Sequence, residues 1–427
     1  MLNFFKLILF LSFFFFFIRY IHAEEENQMV SKQYAIGIIP VCSFDSDLGL
    51  KFGAVINMFD SKYQKYPDYD QFLNLKVSYT TRNTLNMQAL FESERFVSQA
   101  TTILEATYTN DRKLDFFGFN GVKSIYDANF GDPDRSGFIS NQFYNQNRTL
   151  IRLRADVQKN IVGDQLRLLT GIAYHNVMFD LPDEVNETQE SLFVNYVDWG
   201  IIDEEERYGG NNNYFSLGLI YDSRNDKCCC TKGSWFETYV IYAPRKLNKE
   251  PFSKFIITYR YYHRLFSEKY IFSMRLSSQN RLSGKIPTYM LPFYFDSQIN
   301  QDGLGGAYTL RGITRNRIVA DGFALGNFET RIQLGNIRLM GIRFYLGTTF
   351  FCDLAFITQA HPVDLSKVPE QWKSKLFDTA PQKLYIGYGP GFNIVFNKNN
   401  VITVNYGFSP DKRLGNGGLY IGSQFLF

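Results

Sequence analysis

Period-two alternation of apolar and polar side chains recurs along most of this chain, with charges on the polar side, and it leaves few folds open. In 269–279, Tyr270, Phe272, Met274 and Leu276 alternate with Ile271, Ser273, Arg275 and Ser277. In 149–158, Ile151, Leu153, Ala155 and Val157 alternate with Arg152, Arg154, Asp156 and Gln158. In 323–333, Ala324, Gly326, Phe328, Thr330 and Ile332 alternate with Leu325, Asn327, Glu329, Arg331 and Gln333. Such segments are strands whose two faces meet different surroundings. A soluble sandwich alternates too, but its inner face rarely carries this much Arg, Glu and Asn. One face suited to lipid and one to a wet lumen describes a transmembrane barrel. Composition agrees: aromatics make up 17% of residues, with 42 Phe and 28 Tyr. Yet mean hydropathy is −0.21, too polar for a helical membrane protein. Beyond the first segment no run reaches the roughly 18 apolar residues of a membrane-crossing helix. Membrane residence then rests on strands, and in hydrocarbon only a closed barrel satisfies every backbone group of a sheet.

The opening MLNFFKLILFLSFFFFFIRYIHA reads as a signal peptide over 1–23, with Lys6 near its start, an apolar run from Leu7 to Ile18, and Ala23 before Glu24, Glu25 and Glu26. The alternative is a single anchoring helix; cleavage fits the short apolar run better. Net charge of +3 gives no reason to expect a nucleic-acid partner. Cys42, Cys228, Cys229, Cys230 and Cys352 have no metal-type spacing, and adjacent cysteines bridge poorly. No disulfide framework, metal or cofactor is expected.

Candidate strands lie near 48–59, 71–82, 84–97, 99–110, 114–119, 143–159, 165–180, 214–224, 234–243, 253–266, 270–282, 322–334, 338–356, 383–396, 401–409 and 417–427. The expected fold is therefore an all-β, antiparallel transmembrane barrel of about sixteen strands. Short connections at 161–164, 267–269, 335–337 and 397–400 interleave with long ones near 120–142, 181–213, 283–321 and 357–382. Bacterial barrels have short periplasmic turns and long outer loops, and an even count puts both ends in the periplasm. Residues 24–47 are expected to form a short periplasmic segment entering the barrel, too short for a domain, and 48–427 the barrel itself.

Two motifs carry roles. Tyr420, Gly422, Phe425 and Phe427 in the final GGLYIGSQFLF fit a barrel carboxy-terminal signal, a last strand offered edge-on to an assembly machine. The second is GLGGAYTLRGI at 303–313, followed by GNFETRI at 326–332 and FFCDLA at 350–355. Glu329 and Asp353 both belong to inward-facing sets. An arginine fork matches two carboxylates, so Arg311 could pin the long loop inside the lumen.

These segments, Leu310-Arg311-Gly312-Ile313, Asn327-Phe328-Glu329-Thr330-Arg331 and Phe351-Cys352-Asp353, resemble the bacterial surface-antigen superfamily of outer-membrane assembly and translocation barrels, typified by BamA and TamA. Upstream, LIYDSRND at 219–226 with Lys232-Gly233 resembles the family's Asp-x-Arg strand end and turn, here Asp222, Arg224 and Gly233. The resemblance covers about 214–427 well and 37–120 loosely. It implies a loop folded into the lumen with Arg311 on Glu329 and Asp353, and Ala355 stands where the family often has Gly. Family insertases carry periplasmic POTRA modules, and none is expected in this sequence.

The expected function is assistance to protein insertion or translocation at the outer membrane of a Gram-negative-type bacterium. The expected partners are outer-membrane lipid, the barrel-assembly machinery through the last strand, and a periplasmic partner or lipoprotein in place of POTRA modules. The alternative is a loop-plugged pore or structural barrel. An enzyme is not expected, since His175, His263 and His361 form no constellation with a nucleophile or carboxylates.

Overall fold

The computed structural model describes residues 34–61, 69–180, 191–226, 229–298, 301–339, 342–396 and 400–427. The signal segment 1–23 and Cys228 lie outside them. Among the described residues the first half of the wall is β1 (Tyr34–Asp45), β2 (Gly49–Asp60), β3 (Gln71–Thr80), β4 (Thr84–Ser93), β5 (Ala100–Asp115), β6 (Asn145–Val162), β7 (Leu166–Asp180) and β8 (Gly209–Asp222). The second half is β9 (Gly233–Ala243), β10 (Phe252–Arg264), β11 (Tyr270–Gly284), β14 (Gly322–Leu339), β15 (Ile342–Gln359), β16 (Tyr385–Phe396), β17 (Asn400–Gly407) and β18 (Gly418–Gly422). Two short strands, β12 (Phe293–Tyr294) and β13 (Gln301–Asp302), pair with each other in the connection between β11 and β14. The other strands form one closed antiparallel ring in which each pairs with its neighbour along the chain and β18 meets β1.

The expected architecture of sixteen strands stands, but four assignments behind it do not. The first strand is Tyr34–Asp45, inside the segment expected to precede the barrel. Its sequence YAIGIIPVCSFD is apolar on both faces, so it carries no alternation, and Pro40 is a residue tolerated on edge strands. The expected strand at 114–119 is absent: Leu114 and Asp115 extend β5 past a bulge. Phe116, Phe117 and Phe119 instead leave the wall and pack into the core of the outer loops. The expected turn at 335–337 lies within β14, where Gly335 follows a register shift. The last strand stops at Gly422 rather than running to 427.

The long connections gather at one end and pack on each other. Helix α1 (Leu192–Asp198) buries Leu192, Phe193, Tyr196 and Val197, and Tyr196 stacks on Phe377, just past α2 (Glu370–Leu376), at 5.8 Å. Asn120 ties three loops together: its amide N–H donates to the Val319 carbonyl at 2.7 Å, while its side chain donates to the His361 carbonyl and accepts from the His361 N–H. Aromatic rings on loops would be costly in water, so they cover one another and form a cap over the barrel mouth.

Candidate functional site

The alternation that makes β14 and β15 lipid-compatible also builds the site. Asn327, Glu329 and Arg331 share the inner face of β14, and Phe351 and Asp353 that of β15, with Asn327 opposite Asp353 and Glu329 opposite Phe351. Glu329 and Asp353 are therefore diagonal neighbours, and both are buried. The 285–321 connection carries Arg311 to them. Its side chain donates to Asp353 Oδ2 at 2.8 Å, Asp353 Oδ1 at 2.9 Å and Glu329 Oε1 at 2.7 Å. The guanidinium lies 3.6 Å from the Phe351 ring centre. The Arg311 backbone N–H also donates to Asp353 Oδ2, at 3.0 Å. Leu310 and Ile313 are fully buried beside Leu304, Ala355, Tyr385 and Leu414. Glycine permits this approach: a Cβ on Gly387 of β16 would meet the Arg311 carbonyl at 2.1 Å, and Gly312 itself has φ +91. The trio expected from the sequence is thus brought together.

The loop has further anchors that the sequence reading missed. Arg148 of β6 bridges Asp111 of β5 and Asp302 of the loop, at 2.7 and 3.0 Å. Arg315 also pairs with Asp302. Burial raises the pKa of Asp302, but Arg148 and Arg315 outweigh it and hold the carboxyl well below the usual range. Arg154 donates to the carbonyls of Asp296 and Ser297 at 3.3 and 3.1 Å, and Arg260 of β10 pairs with Asp296. Arg317 donates to the carbonyls of Gly121 and Ser124, both at 2.8 Å. A segment bonded at once to β6, β10, β14 and β15 crosses the interior of the ring. Alternation put Arg154 on the inner face, but no local pattern links it or Arg148 to acids and carbonyls far along the chain.

The ring is thinly closed. The ladder between β1 and β18 consists of Phe44 opposite Ile421 and Asp45 opposite Tyr420. Beyond it, the Ser46 N–H donates to the Leu419 carbonyl at 3.1 Å, and Ser46 Oγ accepts from the Leu419 N–H at 2.7 Å. By contrast, β1 pairs with β2 along its whole length, from Tyr34 opposite Asp60 to Asp45 opposite Gly49. Ile36 and Ile38 of β1 are each 62% exposed. Gly49 and Gly53 lie on β2, one strand away from the seam.

The carboxy-terminal motif divides. Tyr420 points inward, and its hydroxyl accepts from the Gly312 N–H at 3.0 Å. Gly422 ends β18, and the chain then turns into the lumen. The Phe425 ring lies 4.1 Å from the Arg331 guanidinium, and a main-chain oxygen of Phe427 accepts from Arg331 at 3.1 Å. Arg331 thus holds the two aromatics expected on the strand edge. The Asp222 motif stays apart from this cluster. Arg224 forks onto Asp222 at 3.0 and 3.1 Å and lies over Trp235 at 4.6 Å. Gly233 has φ +114, and a Cβ there would meet the Ser223 carbonyl at 2.2 Å, so these residues build a turn. Cys230, in that turn, is a free thiol, as are Cys42 and Cys352.

A family model described as an Omp85 superfamily domain matches residues 69–398. Among solved structures, BamA from Haemophilus ducreyi lacking POTRA domains 1-3 superposes with a TM-score of 0.54 at 14% identity, covering 92% of this chain and 70% of that one. CdiB from Escherichia coli superposes with a TM-score of 0.57 at 10% identity, covering 92% of this chain and 63% of that one. At such identities the likeness is one of fold. No curated protein sequence matches the chain. Matched over most of its length and closed as such barrels close, the chain belongs to the Omp85 superfamily and is a β-barrel of the Gram-negative outer membrane.

Proposed function

We propose that this barrel assists the insertion or translocation of proteins at the outer membrane, together with a separate periplasmic partner or lipoprotein. The work is mechanical rather than enzymatic: the seam parts, and a client strand pairs with the freed edge of β1. The observation that carries this reading is the shortness of the β1–β18 ladder. A backbone hydrogen bond contributes about 0.5–1.5 kcal/mol net, so parting so few costs roughly 2–4 kcal/mol. Among the described residues no other pair of neighbouring strands in the ring is joined so briefly. Residence in the outer membrane and kinship with BamA and CdiB are consistent with this role. A plugged structural barrel is the second reading, favoured by the many anchors on the lumen loop.

Locking the seam separates the two. Phe44→Cys with Ile421→Cys, in a background whose native cysteines are serine, places a disulfide across the last ladder pairs. The locked protein should keep heat-dependent gel mobility, stop incorporation of barrel clients in cells that depend on it, and recover on reduction. If the oxidised protein supports client incorporation as well as the reduced form, the seam does not open, and the structural reading takes its place.

A further inference from the structure

Glu329 faces two arginines from different parts of the chain. Its Oε1 accepts from Arg311 of the lumen loop at 2.7 Å, and its Oε2 accepts from Arg331 at 2.8 Å. Arg331 in turn is covered by the segment that follows the last strand, through the Phe425 ring and a main-chain oxygen of Phe427. The Phe427 ring also lies 5.4 Å from the Arg275 guanidinium and 6.2 Å from the Tyr262 ring. Arg331 is only 5% exposed and Glu329 2% with this segment in place. The loop anchor and the arginine that holds the end of the seam strand therefore share one carboxylate.

We propose that Glu329 couples the two, so that withdrawal of residues 423–427 from the lumen loosens the Arg311 anchor. Two physical effects point the same way. Arg331 fixes the rotation of the Glu329 carboxylate, which keeps Oε1 aimed at Arg311. The phenylalanine rings shut water out of the cluster, and ion pairs weaken when water raises the local dielectric. Loss of the rings frees Arg331 to solvate and admits water to Glu329. The coupling is a property of the resting barrel and holds whether or not the protein assembles clients. It makes the loop a sensor of whether the last strand is in place.

Hydrogen exchange on the full-length protein in detergent micelles tests this, with heat-dependent mobility confirming the fold. Phe425→Ala with Phe427→Ala should speed exchange in 303–313 about tenfold. Coupling is reciprocal, so Arg311→Lys should in turn speed exchange in 418–427. Arg154→Gln, which releases the loop at Asp296 and Ser297, should loosen its own surroundings and leave 418–427 unchanged. A second contact, Tyr420 to Gly312, bypasses Glu329, so the tail variant is repeated with Tyr420→Phe. Persistence of the effect there supports the Glu329 route, and its loss overturns it. Protection of 303–313 unchanged in the tail variant overturns it as well.

Discussion

Arg311→Ala removes the cation between two buried carboxylates. Breaking one partner of a buried ionic group costs about 3–5 kcal/mol. The surroundings set the figure toward the lower end, because Glu329 keeps Arg331, and Asp353 keeps the Asn327 amide at 2.8 Å and the backbone N–H of residue 311. About 3 kcal/mol corresponds to roughly a hundredfold faster local opening. The ring itself should survive, since its strand ladders do not involve Arg311. The loop does not hang on Arg311 alone. Arg148 holds Asp302, Arg154 and Arg260 hold 296–297, and Arg317 holds the outer loops. Exchange should therefore rise about a hundredfold in 303–313 while 294–298 stays protected. Arg311→Lys should recover part of the protection, because an ammonium cannot fork between two carboxylates. The measurement is hydrogen exchange on micelle-embedded protein of confirmed heat-dependent mobility. Unchanged protection of 303–313 would show that Arg311 is not an anchor. Release of the entire 285–321 segment would show that the arginines on the opposite wall are not anchors.

Two further outcomes follow from single sites. Burial, then the charges of Asp45 and Asp115, push Asp47 up to about 7, against the pull of Arg315. The folded protein thus holds a proton that the unfolded chain releases near 3.8, so stability should fall as pH rises between those values and level off above 7. Asp47→Asn should flatten that part of the thermal-midpoint profile between pH 5 and 8; an unaltered slope would assign the dependence to other groups. Cys229→Ser with Cys230→Ser should fold normally, because the Cys230 thiol donates to Asn225 Oδ1 and the Lys232 carbonyl, and a hydroxyl can do the same. Loss of heat-dependent mobility in this variant would mean that the turn needs sulfur.

What the sequence determined by itself was whatever repeats locally. Period-two patterning in 269–279 and 323–333 is set by neighbours on one strand, so the strands, their faces and the lumen position of Glu329 and Asp353 were all legible. Arg311 was legible as their partner through its motif and family resemblance. The tertiary structure decided what depends on closing the ring. β1 was hidden because a strand apolar on both faces shows no alternation, and its role as wall comes from pairing with β2. The seam's length depends on where the first and last strands meet, a register between residues at opposite ends of the chain. The inward turn of Phe425 and Phe427 depends on Arg331 lying across the lumen, and the grip of Arg148 on Asp302 joins residues 154 positions apart. No local pattern encodes such distances; they arise only when hydrogen-bonded neighbours bend the sheet round and bring opposite walls within reach of one loop.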